Sequence, residues 1–240
     1  FLLADEQAQN LIQSRGYESI VLHTVWNDMD SEIPVLLAAI DRYKITRILI
    51  DSYQVTLKYL TEIKKMVQIM YIDDLKLFCY PVDVVVCYAN YWSRFYSRQN
   101  DPSTIFLLGT KYVPLRKVFW DCERKKITKG AGRLLLLSGG SDPYDFLEQT
   151  LMLLDLRVFQ HIDVICGRYY PNYEELCGKY EKNSKISIHK SIPDIEKYMK
   201  NADMAVSAGG TTLYELCACG TPTISYSFAD NQLDNLVHCG

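Results

Sequence analysis

The chain has 240 residues, 48% apolar and 23% charged, which is ordinary for a soluble globular protein of one large or two smaller domains. The formal net charge of −3 argues against a general nucleic-acid-binding protein, because such proteins usually carry a basic excess that neutralises phosphates. No apolar run approaches the roughly 18–20 residues of a membrane span, so no membrane-spanning segment is expected.

The first half of the chain alternates apolar runs with helical patterns. Strands are predicted in "ESIVLHT", "RILIDS", "QIMYIDD" and "VDVVVCY". Helices are predicted in "SEIPVLLAAIDRYK", with Ser31 as its N-cap, and around "TLKYLTEIKK". Strands that are apolar on both faces and are joined through helices indicate a parallel sheet covered by helices.

The same alternation restarts after a basic, glycine-containing stretch, "CERKKITKGAGR". Strands are predicted in "RLLLLSGGSD", "HIDVICG", "KISIHK", "DMAVSAGG" and "PTISYSF", with helices between them. We therefore predict a domain over 1–122, a linker over 123–132 and a second domain over 133–240. The chain begins without methionine or a signal-peptide pattern and ends at a helix, so we expect a segment of a longer protein.

The eight cysteines are sparse for a chain of this length. Cys217 and Cys219 have the spacing Cys-x-Cys, which is weak as a metal motif without a second pair or a nearby histidine. We interpret the cysteines as small buried thiols in a reducing cytoplasm, and we expect neither a disulfide framework nor a metal site.

Two predicted strands end in a pair of glycines, at Gly139–Gly140 and at Gly209–Gly210. A glycine pair permits positive φ and close backbone approach, and the helix that follows presents unpaired N–H groups to an anion. The glycines alone are equally compatible with simple turns. Neither sequence is a P-loop or a G-x-G-x-x-G motif.

Several of these motifs together resemble a known family. They are "SAGGTTLYELCACGTPTISYSFADNQ", "LLLLSGGSDP", "DSYQVT", "YIDDL" and "FLLGTKYVPLR". In this order they resemble the UDP-sugar hydrolases of pseudaminic acid biosynthesis and the related spore coat polysaccharide proteins, within the GT-B group. The resemblance implies an α/β fold of two Rossmann-like, doubly wound parallel-sheet domains that face a cleft, with the N-terminal domain truncated.

The resemblance also implies roles for individual residues. It implies UDP binding by Gly209, Gly210, Thr211, Thr212, Glu215, Gly139, Gly140, Ser141, His189 and Ile192. Within this set the second glycine pair would hold the diphosphate, Glu215 the ribose hydroxyls, and "HKSIPD" the uracil. It implies sugar binding by Asp51, Ser52, Tyr53, Asp74, Asn90, Asp230, Asn231 and Gln232. Which carboxylate of the Asp73–Asp74 pair faces the cleft stays open.

The implied reaction is hydrolysis of the anomeric C–O bond of a UDP-linked 2,4-diacetamido-2,4,6-trideoxy sugar. The expected base is a histidine in a Gly-rich loop that would precede residue 1, so this segment is expected to bind UDP but to hydrolyse poorly. No cofactor is expected, and the protein is expected to be a monomer. Two alternatives remain: a UDP-sugar glycosyltransferase on the same fold, and a nucleotide-binding module without chemistry.

Overall fold

The structure is a computed structural model that describes residues 1–96, 102–123, 125–127, 129–228 and 230–238. The side chains of Asp230, Asn231 and His238 lie outside this description. The chain divides into two compact units, Phe1–Tyr112 and Val113–Gly240.

The first unit is an α/β unit with two parallel sheets in its described part. Its elements are β1 (Leu2–Leu3), α1 (Gln9–Ser14), β2 (Ile20–Val21), α2 (Met29–Arg42), β3 (Arg47–Ile50), α3 (Leu57–Lys64), β4 (Gln68–Ile72), β5 (Val84–Cys87), α4 (Ser93–Tyr96) and β6 (Ile105–Leu108). Strand β1 pairs with β2, and the second sheet has the order β3-β4-β5-β6. Helices α2 and α3 bury one apolar face each in the core, through residues such as Leu36, Ile40, Leu60 and Ile63.

Helix α2 begins earlier than predicted. Asp28 has a non-helical backbone conformation, and its carboxylate accepts a hydrogen bond from the Ser31 N–H at 3.3 Å. The predicted N-cap at Ser31 is therefore wrong: Ser31 supplies the N–H that is capped. Acidic side chains satisfy such free N–H groups well, which is why Asp28 prevails over the serine three residues later.

The second unit has one five-stranded parallel sheet among its described residues. Its elements are β7 (Arg133–Leu137), α5 (Phe146–Leu153), β8 (His161–Cys166), α6 (Tyr173–Tyr180), β9 (Ile186–Lys190), α7 (Ile195–Asn201), β10 (Met204–Ala208), α8 (Thr212–Cys219), β11 (Thr223–Tyr226) and α9 (Asp230–His238). The strand order is β11-β10-β7-β8-β9. Short 3₁₀ turns lie at Thr110–Tyr112 in the first unit and Lys117–Phe119 in the second.

Strand β7 is central and buried on both faces. Leu134 and Leu136 pack into the apolar cluster on one side of the sheet, and Leu135 and Leu137 pack into the cluster on the other. This is the pattern expected of a parallel strand covered by helices on each side, and it explains the uninterrupted leucine run. Because β7 lies between β8 and β10, the segments that follow these three strands meet at one edge of the sheet.

The division between the units falls at Tyr112, ahead of the boundary predicted at residue 122. The reason is Phe119, which is buried in the core of the second unit with Leu216 and Met199. Within the described residues, no helix combines the length and apolar character needed to cross a membrane.

Candidate functional site

A cavity of about 450 Å³ lies in the second unit, at the carboxyl ends of β7, β8 and β10. It is lined by Arg116, Leu137, Ser138, Gly139, Gly140, Ile165, Cys166, Gly167, Arg168, Ser191, Ile192, Ile195, Ala208, Gly210, Thr211, Thr212, Glu215, Phe228 and Gln232. Both predicted glycine turns contribute to its wall. A cavity at this edge of a parallel α/β sheet is where such folds bind their ligands.

In the turn after β7, the glycines and Asp142 have different structural roles. Gly139 has φ +79°, a conformation that glycine adopts without strain. Asp142 is buried, and its carboxylate accepts hydrogen bonds from the N–H groups of Phe146 at 2.9 Å and Leu147 at 3.0 Å. Asp142 therefore caps the start of α5, while Gly139 and Gly140 are exposed at the cavity.

Gly167 ends β8 directly beside this turn. A Cβ atom built on Gly167 would lie 2.1 Å from the carbonyl oxygen of Gly139 and 2.2 Å from that of Gly140. No side chain fits between these backbones, so a glycine is required here by close approach rather than by backbone conformation.

The two glycines of the turn after β10 have different surroundings. A Cβ atom on Gly209 would meet Leu236 Cδ2 of α9 at 2.9 Å, whereas one on Gly210 would meet nothing within 4 Å. Gly209 thus packs closely against α9, and Gly210 leaves open space at the cavity. Thr211 precedes α8 and, as far as the described chain shows, makes no side-chain capping bond. The start of α8 therefore presents a partial positive charge to the cavity, although the N–H groups of Leu213 and Tyr214 already donate to the carbonyls of Gly210 and Thr211.

An ion pair crosses one wall of the cavity. The Nε of Arg116 donates to Glu215 Oε1 at 2.9 Å, although the two residues are 99 positions apart. The guanidinium also lies over the Phe119 ring, with Cζ 5.1 Å from the ring centroid. Arg168 is an exposed second cation at the cavity. Together with the start of α8, these groups make the cavity suitable for an anion, and Glu215 supplies one hydrogen-bond acceptor.

Ser138 adds a polar atom at the base of the cavity. Its side chain is fully buried, and its Oγ has no hydrogen-bond partner within the part of the chain that the structure describes. Burying a hydroxyl without a partner is unfavourable, so this oxygen is an unsatisfied polar atom beneath the wall of the cavity.

The structure brings most of the predicted UDP-binding residues of the second unit together. The cavity is lined by Gly139, Gly140, Ile192, Gly210, Thr211, Thr212 and Glu215, and also by Gln232 from the predicted sugar-binding set. It does not bring Ser141 or Gly209 to the wall of the cavity. The predicted side-chain roles of Asp230 and Asn231 fall on side chains outside the described part.

His189 lies apart from the cavity, among charged residues on the sheet. Its Nε2 is 3.3 Å from Asp163 Oδ1, and its ring makes an edge contact with Tyr198. His161 Nε2 lies 3.2 Å from the same Asp163 oxygen, and Arg133 Nη2 is 3.6 Å from the other one. These contacts give His189 a partner in the sheet.

The predicted sugar-binding residues of the first unit lie at the carboxyl ends of β3, β4 and β5. The Tyr53 hydroxyl donates to Asp74 Oδ2 at 3.0 Å, and the Tyr71 hydroxyl donates to the Ser52 carbonyl at 3.0 Å. Asp51 and Ser52 also line a cavity of about 630 Å³ within this unit, beside β1 and β3. Asn90 is half-buried after β5.

Burial raises the pKa of Asp74, and the nearby carboxylates of Asp73 and Asp51 raise it further against the lowering effect of the Tyr53 hydrogen bond. Partial burial also raises the pKa of Asp51. Because desolvation disfavours the charged form, these two carboxyl groups hold protons more tightly than isolated ones.

Asp73 and Asp74 have separate roles within the first unit. Asp73 is buried and accepts hydrogen bonds from the hydroxyls of Tyr80 at 2.7 Å and Tyr96 at 2.6 Å, and from the Lys76 N–H at 2.9 Å. Burial and the Asp73 charge together raise the pKa of both tyrosines. Asp73 therefore stabilises the fold, and Asp74 is the carboxylate that is partly exposed.

Several residues of the second-unit cavity were not predicted from the sequence, among them Arg116, Ser138, Gly167 and Arg168. A signal existed for Gly167, because a glycine directly after a strand that neighbours another glycine-ended strand suggests close approach. Ser138 stands next to the recognised glycine pair. Arg116 is the last residue of the quoted motif "FLLGTKYVPLR", but nothing in that motif pointed to its partner Glu215, which is far away along the chain.

Residues 134–235 match the Glycosyltransferase family 28 C-terminal domain. The second unit is glycosyltransferase family 28-like. The matched range contains both glycine turns and Glu215 but not Arg116.

Two curated relatives have modest identity to the chain. The spore coat polysaccharide biosynthesis protein SpsG of Bacillus subtilis is 28% identical over 153 residues, which cover 60% of this chain and 43% of SpsG. The UDP-N-acetylglucosamine–N-acetylmuramyl-(pentapeptide) pyrophosphoryl-undecaprenol N-acetylglucosamine transferase of Campylobacter jejuni is 35% identical over 116 residues, or 46% of this chain and 32% of the transferase. The matches thus span less than half the length of these relatives.

The fold is also similar to a solved structure, that of MurG from Acinetobacter baumannii. The TM-score is 0.62 at 15% sequence identity, over 98% of this chain and 72% of MurG. At this identity the likeness concerns the fold alone, and it confirms the predicted α/β, GT-B-like fold class. The comparisons support the glycosyltransferase-like part of the predicted family. They do not extend to the hydrolases of pseudaminic acid biosynthesis in particular.

Proposed function

We propose that this chain is part of a GT-B-type glycosyltransferase that uses a UDP-sugar, and that the second-unit cavity binds the UDP. The observation that carries the proposal is the convergence of two glycine turns, the start of α8 and Arg116 on one cavity. The Campylobacter relative is named as an N-acetylglucosamine transferase that uses UDP-N-acetylglucosamine. This name favours a UDP-sugar as the donor.

The proposed roles follow from the chemistry of each group. The backbone N–H groups of Gly210 and Thr211 and the hydroxyl of Thr212 would hold the diphosphate at the start of α8. Glu215 would accept hydrogen bonds from ribose hydroxyls, as acidic residues do in other nucleotide sites. Ile192 offers an apolar surface to the flat face of the base. Arg116, which the sequence did not suggest, would balance the negative charge of the diphosphate.

The same groups would assist the chemical step. Transfer breaks the bond between the anomeric carbon and the UDP oxygen, and the leaving diphosphate takes the electron pair. The incoming oxygen forms a bond to that carbon and loses its proton to a base. Preorganised N–H groups and a guanidinium at the diphosphate stabilise the charge that develops on it, which is a large term in such reactions.

Hydrolysis is the second candidate, with water in place of the acceptor hydroxyl. The motifs that predicted it are present in the chain, including "SAGGTTLYELCACG" and "LLLLSGGSDP". The two candidates share the donor site and differ only in the attacking oxygen. The sugar-binding roles of Asp51, Ser52, Tyr53, Asp74 and Asn90 stay proposals under either candidate.

The first experiment is calorimetric titration of the 240-residue chain with UDP, with ADP and CMP as controls. We expect selective binding of UDP, and a loss of at least about tenfold in affinity for Gly210→Val, whose side chain would enter the cavity. Gly178→Val, the same change at an open glycine in α6, should leave affinity unchanged. Equal binding of all three nucleotides, or none by a folded chain, would contradict the proposal.

Product analysis then separates the chemical candidates. The full-length protein is incubated with a UDP-sugar in ¹⁸O-labelled water, with and without a candidate acceptor. Label in the released sugar means hydrolysis, and a sugar–acceptor product without label means transfer. UDP binding without either product would instead identify a nucleotide-binding module.

A further inference from the structure

In the second unit, the segment that begins at Arg116 runs alongside helix α8. Arg116 pairs with Glu215 in the first turn of the helix, and the Lys125 N–H donates to the carbonyl of Cys219 in its last turn at 3.1 Å. Glu215 and Cys219 are four residues apart, so they lie on the same face of α8. The described residues between Arg116 and Lys125 therefore follow this face in the same direction as the helix.

Near its end, this segment places one cysteine next to a cysteine of α8. Cys122 Sγ lies 3.5 Å from Cys219 Sγ, and no disulfide links them. Phe119, buried on one side of Cys122, and Lys125, on the other, hold this thiol in place. The Lys125 ammonium donates to the Ala202 carbonyl and lies 3.4 Å from Asp203 Oδ1, which anchors the segment further.

We propose that Cys122 and Cys219 are a redox modification site, at which a small-molecule disulfide converts the two thiols into an intrachain disulfide. A disulfide bond is about 2.05 Å long, so the sulfurs must approach by only about 1.5 Å from their 3.5 Å separation. The packing that holds both thiols in place gives them a high effective concentration for each other.

The exchange proceeds in two balanced steps. The Cys122 thiolate, which is partly exposed, attacks the small-molecule disulfide and expels one thiolate, leaving a mixed disulfide. The Cys219 thiolate then attacks the Cys122 sulfur and expels the second thiolate. The two protein thiols lose two protons and two electrons, and the small disulfide is reduced to two thiols.

The order of these steps follows from burial. Cys219 is fully buried, and desolvation raises the pKa of its thiol to about 12. A buried thiol of this kind is a poor first nucleophile, because the thiolate is the reactive form and the oxidant has no access. It is suited to resolve a mixed disulfide that has already formed next to it.

The bond would fix the segment that carries Arg116 to the helix that carries Glu215. Glu215 would then lie inside the closed loop of residues 122–219, and Arg116 would lie just before the start of this loop, so this wall of the cavity would lose freedom of movement. Closing a long loop also restricts the unfolded chain, so oxidation should stabilise the second unit.

The test is oxidation of the 240-residue chain with oxidised glutathione, followed by alkylation of free thiols, proteolysis and mass spectrometry. The expected result is a peptide pair joined through Cys122 and Cys219, with a melting temperature raised by about 5 °C or more and reversed by dithiothreitol. Exposed Cys79 and Cys217 should carry only mixed disulfides with glutathione, which shows that the oxidant was active.

Three variants make the result specific. Cys217→Ser should retain the cross-link, because this thiol lies two residues from Cys219 but is exposed. Cys219→Ser should leave Cys122 as a mixed disulfide, and Cys122→Ser should prevent oxidation of Cys219 and the rise in melting temperature. Circular dichroism checks that each variant is folded. Glutathione on Cys79 and Cys217 without a Cys122–Cys219 link, or an equal link between Cys122 and Cys217, would overturn the proposal.

Discussion

The carboxyl edges of the two parallel sheets carry opposite chemistry. In the first unit, the strands end in carboxylates, with Asp51 after β3 and Asp73 and Asp74 after β4. In the second unit, two strands end in glycine pairs, and the nearby side chains include the cations Arg116 and Arg168. One edge is rich in acceptors, and the other is rich in N–H donors and positive charge.

The difference shows how little of a site is determined by the sheet itself. Both sheets bring the segments after neighbouring strands together, as parallel sheets generally do. The first one or two residues of each segment then decide the chemistry. Carboxylates placed together are partly desolvated and repel one another, which raises the pKa of Asp74. Glycines leave the backbone accessible, so the N–H groups become the binding groups.

The largest effect on stability is expected at Gly167, where backbone atoms approach most closely at the carboxyl edge of the second unit's sheet. Gly167→Ala would place a methyl group within 2.2 Å of two carbonyl oxygens, so the free energy of unfolding should fall by about 3 kcal/mol or more. Urea denaturation followed by circular dichroism measures the change. Gly178→Ala in α6 is the matched control and should be neutral or stabilising by about 0.5–1 kcal/mol. Equal effects of the two variants would show that the close approach is absent.

The second-largest expected effect is a difference in stability between variants of Asp73 and of Asp74, the two neighbouring carboxylates of the first unit. Asp73→Asn weakens hydrogen bonds from two tyrosine hydroxyls and a backbone N–H to a buried charge, so it should lower the free energy of unfolding by about 2–3 kcal/mol. Asp74→Asn should not destabilise the protein at neutral pH, because burial already disfavours its charge. The same denaturation experiment compares them, and a reversed order would contradict the assigned roles.

A third, smaller effect concerns the cation at the second-unit cavity. Arg116→Ala removes a charge from the wall, and we expect the affinity for UDP to fall by about tenfold, or about 1.4 kcal/mol. Arg157→Ala is the control, because this exposed arginine pairs with Asp155 outside the cavity. Calorimetric titration measures both. Unchanged affinity in Arg116→Ala would remove Arg116 from the proposed site.

The smallest effect is a pH dependence in the first unit. Because the folded state raises the pKa of Asp74 above 3.8, its contribution to stability is full below pH 3.8 and is lost as the pH rises through the folded-state value. Asp74→Asn should therefore match the wild type at low pH and become relatively more stable towards neutral pH. Thermal denaturation from pH 3 to pH 7 tests this, and a difference independent of pH would argue against it.

The fold was predictable because its signals are local. The leucine run of β7 and the alternation of strands and helices identify a parallel α/β protein, and the periodic apolar residues Ile33, Leu36 and Ile40 are buried as expected. The error at the start of α2 has a local cause too. Asp28 and Ser31 are both good N-cap residues, and the sequence alone does not show which one adopts the non-helical backbone.

The candidate site was predictable in part. The glycine turns follow strands directly and Glu215 lies in the first turn of the helix after one of them, so the topology brings them together once the sheet is correct. Arg116 reaches the cavity because the segment around Phe119 packs on α8, a long-range contact with no trace in local periodicity. The cysteines show the same limit: the expectation of buried thiols is wrong for Cys79 and Cys217, which are exposed.

The close approach of Gly167 to the turn after β7 also limits how that turn can move. The carbonyl oxygens of Gly139 and Gly140 already rest where a side chain of residue 167 would stand. The turn is therefore blocked in the direction of β8, and movement away from β8 would break the hydrogen bond that the Tyr169 N–H donates to the Gly140 carbonyl at 3.0 Å. If the turn adjusts to a bound ligand, it would have to move away from β8 and widen the cavity on this side, because the backbone of Gly167 prevents movement in the opposite direction.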